Sequence, residues 1–238
     1  MEEKKPLRIA LCLHAYNFID FDVYFNHLWC IAHWRSPNYE LVFCGKKGLD
    51  NATARNELMK VANEKKCTHM LFLDADHLVP VEMLDCLLQL SDEAIVSGLV
   101  CKRGEGFPQV AFNKVGDSYV AVELPLDGKQ YQVYACAFGC TLVSMHHLNK
   151  LKEPVFRDNC VELPGRGLCN LRSDILLCDS FNKIGEKCWI DTRVLVGHHG
   201  INRVVYPQNA KTLRGVVDLE RSDEALKKGQ EGFFYDIP

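Results

Sequence analysis

The sequence predicts an α/β fold: a single Rossmann-like domain with a mixed sheet, parallel in its N-terminal half and extended by antiparallel strands in its C-terminal half. Three observations predict it. Short apolar runs alternate with helix-length periodic segments through the first hundred residues. One of those runs ends in the carboxylates Asp74 and Asp76, where the strand tips of an open α/β sheet bind ligands. Beyond Cys101 the pattern changes, with Gly104, Gly106 and Pro108 close together and partly alternating strands after them.

Taken in order, residues 7–13 (LRIALCL) read as a first strand and residues 20–34 as a helix with an aromatic-rich apolar face. Residues 40–44 (ELVFC) read as a second strand and residues 53–66 as a helix carrying Leu58, Val61, Ala62 and Lys65 on one side. Asp50, Asn51 and Thr53 are its candidate N-caps. Residues 70–73 form a third strand, Pro80 suits the first turn of a helix over 81–90, and 94–100 (AIVSGLV) is a further strand. Strands separated by helices of this length predict βαβ units and a parallel sheet covered on both faces. Residues 119–124 and 130–137 read as antiparallel additions. Residues 171–184 read as a helix closed by Gly185, and Trp189-Ile190-Asp191 as a short strand. The expected division is a nucleotide-binding half (1–100), an acceptor half (101–213) and a charged C-terminal tail (214–238).

The 238 residues carry 47% hydrophobic and 25% charged side chains with a net charge of −3, the profile of a chain with a sizeable core. That charge argues against avid non-specific nucleic-acid binding. No apolar run reaches the roughly 18–20 residues that span a bilayer. The charged opening lacks the pattern of a secretory signal, so a cytoplasmic, reducing location is expected. The twelve cysteines include no CxxC pair. Cys12, Cys44, Cys86 and Cys101 lie in apolar runs and read as small buried hydrophobes.

The chemistry concentrates in His69-Met70-Leu71-Phe72-Leu73-Asp74-Ala75-Asp76. Carboxylates at i and i+2 of an extended strand point the same way. Adjacent carboxylates repel, and one takes up a proton unless a cation balances them. Oxygen donors suit Mg²⁺ or Mn²⁺, which complete their shells with water and substrate phosphates.

Here the chain resembles the GT-A superfamily of glycosyltransferases, in particular small bacterial and viral family-2-like members. The resemblance spans residues 7–200 in four pieces: Ala54-Arg55-Asn56 opening a helix; LFLDAD followed by Pro80; Ala137-Phe138-Gly139-Cys140-Thr141-Leu142 with Pro154-Val155-Phe156; and Arg172-Ser173-Asp174, Gly185, Trp189-Ile190-Asp191 and Gly197-His198-His199-Gly200. It implies metal-dependent transfer of a sugar, from a UDP-sugar or similar donor, to an acceptor hydroxyl on a glycan, a protein, a lipid-linked sugar or a modified nucleic-acid base. Asp76 would be the main ligand of Mn²⁺ or Mg²⁺. Asp74 would bind the metal through water or lie near the ribose, and His198, with His199 as the adjacent alternative, would close the site. The donor would meet His14, Ala15, Tyr16, Arg55, Asp74, Ala75 and Gly139. Tyr16 would stack on the base, Arg55 would face the diphosphate or sugar, and Gly139 would permit close backbone approach. Lys102 and Arg103 are candidates for phosphate or acceptor contacts. Asp174 would be the general base of an inverting reaction, although the usual Glu-Asp pair is Ser173-Asp174 here.

Two other readings differ in kind. A nucleotidyltransferase making an activated sugar would carry a Gly-rich phosphate loop after the first strand, where this chain has His14-Ala15-Tyr16-Asn17. A non-catalytic nucleotide- or carbohydrate-binding module would explain the missing glutamate before Asp174.

Overall fold

The computed structural model describes residues 6–103, 107–163, 167–200, 204–208 and 210. The tail from residue 214 lies outside them. The N-terminal elements are β1 (Leu7–Ala15), α1 (Phe21–His33), β2 (Tyr39–Lys47), α2 (Asn51–Glu64) and β3 (His69–Asp74). Then come β4 (His77–Leu78), α3 (Met83–Leu88), β5 (Ile95–Val100), β6 (Ala111–Val115) and β7 (Ser118–Ala121). After these follow β8 (Gln130–Val133), β9 (Ala135–Cys136), β10 (Cys140–Ser144), α4 (Met145–Leu148), β11 (Asn159–Leu163) and β12 (Gly167–Leu171). The described chain closes with α5 (Ser173–Lys183), β13 (Cys188–His199) and β14 (Val204–Val205).

The principal sheet has the order β14-β13-β5-β10-β3-β1-β2, with β4 and β8 also paired to β13. β1 pairs parallel with β2 on one side and β3 on the other. The mixed character enters at the centre: β10 lies antiparallel between β3 and β5. Every residue of β10 is buried, so it carries no polar alternation that would mark it as a strand in the sequence. Helices cover both faces. Leu58, Met145 and Phe181 from α2, α4 and α5 pack one face, and Cys30 and Leu84 from α1 and α3 pack the other.

Local chemistry sets the element ends. The Asp20 carboxylate accepts from the Asp22 N–H at 2.9 Å and starts α1. Of the three candidate caps for α2, Asp50 serves, accepting from the Thr53 N–H at 2.9 Å. Gly185, at φ 84°, follows α5 in the left-handed conformation.

Several boundaries differ from expectation. The helix expected over 81–90 shrinks to Met83–Leu88, since the Pro80 carbonyl accepts from Met83 N–H in a tight turn first. The strand expected over 130–137 divides into β8 and β9. The strand expected to stop at Asp191 continues for eight further residues as β13. Asp191 is fully buried there, and the Arg193 guanidinium holds both its oxygens across a register shift in the ladder. The aromatic face of α1 also turns outward. Val23, His27 and Cys30 form its buried stripe, while Phe21, Tyr24, Phe25 and Trp29 are exposed.

No helix among the described residues is long and apolar enough to cross a membrane. Ten cysteines among the described residues are free thiols, all but Cys86 buried.

A polar cluster locks α5 to the smaller sheet formed by β7, β6 and β9. The Asp179 carboxylate accepts from Lys114 Nζ at 2.8 Å and Tyr134 Oη at 2.5 Å, and pairs with Lys183 at 2.7 Å. Burial pushes its carboxyl up, but the hydrogen bonds from Lys114, Lys183 and Tyr134 prevail and hold it well below the usual carboxylate range. Asp179→Asn should therefore cost about 2 kcal/mol in urea unfolding at neutral pH. A depressed folded value stabilises above the unfolded carboxyl value of about 4, so the difference between the two proteins should fade as pH falls below it.

Candidate functional site

The site forms where the sheet order reverses direction. β2 and β3 flank β1 on opposite sides, and the tips of β1 and β3 bring His14 opposite Asp74. A crevice outside such strand ends is where open α/β sheets bind ligands. The chain then turns: the Asp74 N–H donates to the Gly139 carbonyl at 3.1 Å, and β4 pairs antiparallel with the end of β13. In that register His77 stands directly opposite His198. The His199 N–H donates to the Asp76 carbonyl at 2.7 Å, while β14 supports His198 and His199 from the other side. Backbone pairing thus brings residues 74–78 and 197–199 together.

Asp76 is the centre of the arrangement. Its Oδ1 lies 2.8 Å from His77 Nδ1. Its Oδ2 lies 3.4 Å from His198 Nε2 and 3.3 Å from Arg103 Nη2. Burial would raise its carboxyl, but the neighbouring His198 and His77 imidazoles hold it well below the ordinary value. His198 Nδ1 donates to the Cys101 carbonyl at 2.8 Å. Nδ1 therefore carries a proton, and Nε2 is the nitrogen that faces Asp76. The His77 ring stacks on His198 with centroids 4.4 Å apart. It is buried, and neither of its nitrogens has the alignment of a hydrogen bond, even with Asp76 so near. His27 donates from Nε2 to the His77 carbonyl at 2.9 Å and anchors β4 from beneath.

Asp74 belongs to a different neighbourhood. Its Oδ1 is 3.7 Å from Arg55 Nη2 and 3.8 Å from His14 Nε2, with no hydrogen bond. Arg55 is only 2% exposed. It donates to Ser173 Oγ at 2.9 Å and lies over Phe72 and Phe138, 5.7 and 5.2 Å from their ring centres.

A cleft of about 430 Å³ opens above these groups, within the range of small-ligand sites. Of the residues expected to meet a donor, His14, Ala15, Tyr16, Asp74 and Ala75 line it, as does Asp76. Arg103 and His199 line it as well. Arg55 and Gly139 do not. Arg55 lies beneath Asp74 as a buried counter-charge. Gly139 faces the His77 ring, where a Cβ would sit 2.4 Å from it, so the close approach it permits is to an imidazole. Lys102 is exposed and absent from the lining. Asp174 is half-buried in the first turn of α5, and its Oδ1 accepts from the Ile175 N–H at 2.9 Å. Burial raises its carboxyl, with the Arg55 charge opposing. It is coupled to the cleft through Arg55 and is not part of the lining.

His77 is the residue that sequence reasoning missed. Neighbours in extended chain point to opposite faces, so the sequence alone gives no sign that His77 joins Asp76. Only the pairing with His198 brings it in.

No family model matches the chain, and no curated protein does. Solved structures do resemble it. This chain shares its fold with A197 from STIV. The two agree with a TM-score of 0.57 at 14% identity, over 85% of this chain and 91% of that one. At that identity the likeness is one of fold alone. 4-Diphosphocytidyl-2C-methyl-D-erythritol synthase from Anaerococcus prevotii DSM 20548 is more distant, with a TM-score of 0.40 at 10% identity over 89% of this chain and 96% of that one.

Arg55 is a buried cation facing the Asp74 carboxylate, and removing one partner leaves the other uncompensated. Arg55→Met should destabilise the protein by about 3 kcal/mol. Adding Asp74→Asn should recover at least about 0.5 kcal/mol of that loss in a double-mutant cycle read by denaturant unfolding.

Proposed function

We propose that the chain is a metal-dependent glycosyltransferase, moving a sugar from a nucleoside-diphosphate sugar to an acceptor hydroxyl. The observation that carries this reading is the approach of His198, far away in sequence and itself behind the cleft lining, to Asp76, which lines a switch-point cleft. The donors present fit a divalent cation. A carboxylate faces an imidazole whose other nitrogen is already engaged by a carbonyl, so the facing nitrogen is free to ligate. A bound Mn²⁺ or Mg²⁺ would stabilise the charge developing on the departing nucleoside diphosphate.

The remaining roles belong to the chain itself. His14, Ala15 and Tyr16 form the wall that receives the nucleotide, a UDP-sugar in the simplest case, with Tyr16 offering its exposed ring to the base. Arg103 brings a guanidinium to the rim, suited to phosphate oxygens. Asp174, set back from the lining and with Oδ1 held by the Ile175 N–H, is the candidate base for the acceptor proton in an inverting transfer. Its raised carboxyl value makes it a better proton acceptor near neutral pH than an exposed aspartate. Arg55, close to both Asp74 and Ser173, ties the α5 terminus that carries this base to the tip of β3.

Thermal-shift screening of the purified protein should show stabilisation by a nucleotide-sugar only with the cation present, because a ligand of the folded state raises apparent stability. Asp76→Asn and His198→Ala should each lower metal-stimulated donor hydrolysis by about a hundredfold or more. Unchanged rates in both would sink the reading. Release of pyrophosphate from a nucleoside triphosphate would replace it with nucleotidyl transfer. Asp174→Asn should retain donor-dependent stabilisation and lose transfer.

A further inference from the structure

We infer that the cation is held by Asp76, His77 and His198, with Asp74 outside the coordination shell, so that the site selects transition-metal ions over Mg²⁺. This deepens the transferase reading by naming the class of cation, and as a statement about binding it can be tested without turnover.

The first argument is convergence. Ligand atoms of Asp76, His77 and His198 all lie within 4.8 Å of one another. With bonds of about 2.1 Å, neighbouring donors of one ion stand about 3.0–3.4 Å apart. The Asp76 oxygens lie 2.8 Å from His77 Nδ1 and 3.4 Å from His198 Nε2. The backbone enforces this proximity, since the two histidines are a directly opposed pair of an antiparallel ladder.

The second argument is the state of His77. A buried imidazole normally hydrogen-bonds through at least one nitrogen. This one is 4% exposed with neither nitrogen so engaged. It also occupies space that a side chain at position 139 would take, so Gly139 makes room for it. A metal ion satisfies such a nitrogen.

Asp74 is arranged otherwise. Its Oδ2 stands 4.0 Å from His77 Nδ1, while Oδ1 faces Arg55 and His14. The other grouping of potential ligands among the described residues, Asp20, Asp22 and His199, is weaker. Asp20 already caps α1, whose N-terminal dipole disfavours a cation.

Two imidazoles and one carboxylate form a softer donor set than paired carboxylates. They favour ions late in the first transition row and leave the remaining positions open to substrate oxygens and water. The expected order is Co²⁺ and Zn²⁺ above Mn²⁺, and Mn²⁺ above Mg²⁺.

The test is cation binding by the full chain, measured calorimetrically with Co²⁺, Mn²⁺ and Mg²⁺ alone. Co²⁺ should bind at least about a hundredfold more tightly than Mg²⁺. Asp76→Asn, His77→Gln and His198→Gln should each weaken Co²⁺ by about tenfold or more, and Asp74→Asn by less than about threefold. Equal affinity for Mg²⁺, or loss of binding in Asp74→Asn with none in His77→Gln, would overturn the inference. If His77→Gln fails to fold by circular dichroism, pulsed electron paramagnetic resonance of the Mn²⁺-loaded unaltered protein decides. Coupling to two imidazole nitrogens supports the assignment, and coupling to one removes it. Binding of this kind without any donor turnover would sink the transferase reading alone. Turnover with an Asp74-dependent cation would sink this inference alone.

Discussion

The pairing of a two-residue strand, β4, with the tip of β13 is the constraint on which the site rests. Without it, Asp76 ends a turn after β3 and the two histidines belong to unrelated parts of the chain. The pairing is held from several directions: by β14 on the far side of β13, by His27 on the β4 carbonyl, and by the Asp76 carbonyl accepting from His199. These are main-chain or main-chain-directed bonds, so the position of the imidazoles depends little on their own rotamers. β13 reaches this point only because Arg193 neutralises the buried Asp191 along the way.

Electrostatically the cleft is built in two tiers. The lower tier sets Asp74 against the buried Arg55, which donates its hydrogen bond to Ser173 beside Asp174. The upper tier surrounds Asp76 with two imidazoles and Arg103. Each carboxylate thus has a distinct environment, although the two are separated by a single alanine. Their sequence similarity as a DxD pair conceals this, because one points to a fixed internal cation and the other to exchangeable partners at the cleft floor.

Much of this was legible in the sequence, and the residues show why. Asp74 and Asp76 follow a fully apolar run, so their place at a strand tip followed from periodicity and from the rule for parallel sheets. The caps at Asp20 and Asp50 and the glycine after α5 are local signals with local causes. What was not legible is long-range. β10 is buried along its whole length and gives no sign that it enters the sheet antiparallel between β3 and β5. His77 acquires its place from a partner more than a hundred residues away. Arg55 reads as a contact for the diphosphate or sugar, whereas Ser173 and two phenylalanines close over it. The aromatic side of α1 has the period of a core face, yet the stripe of smaller residues is the one that packs. Asp174 reads as a catalytic base from the sequence, and in the fold it stands outside the cleft lining, influenced by the Arg55 charge.

The central position of β10 bears on how the chain must assemble. β3 and β5 both belong to the first hundred residues, yet they do not touch as a ladder. Each hydrogen-bonds to β10, which comes about forty residues after β5 and about seventy after β3. A nascent chain that has emerged only through residue 100 therefore holds one three-stranded sheet with an open edge at β3 and a β5 with no strand partner, the kind of surface that invites pairing with other chains. Completion of the sheet waits on contacts distant in sequence, whose loop entropy must be met before they stabilise anything. The first half is thus a poor candidate for independent expression, and a cut between the halves would expose the middle of the molecule.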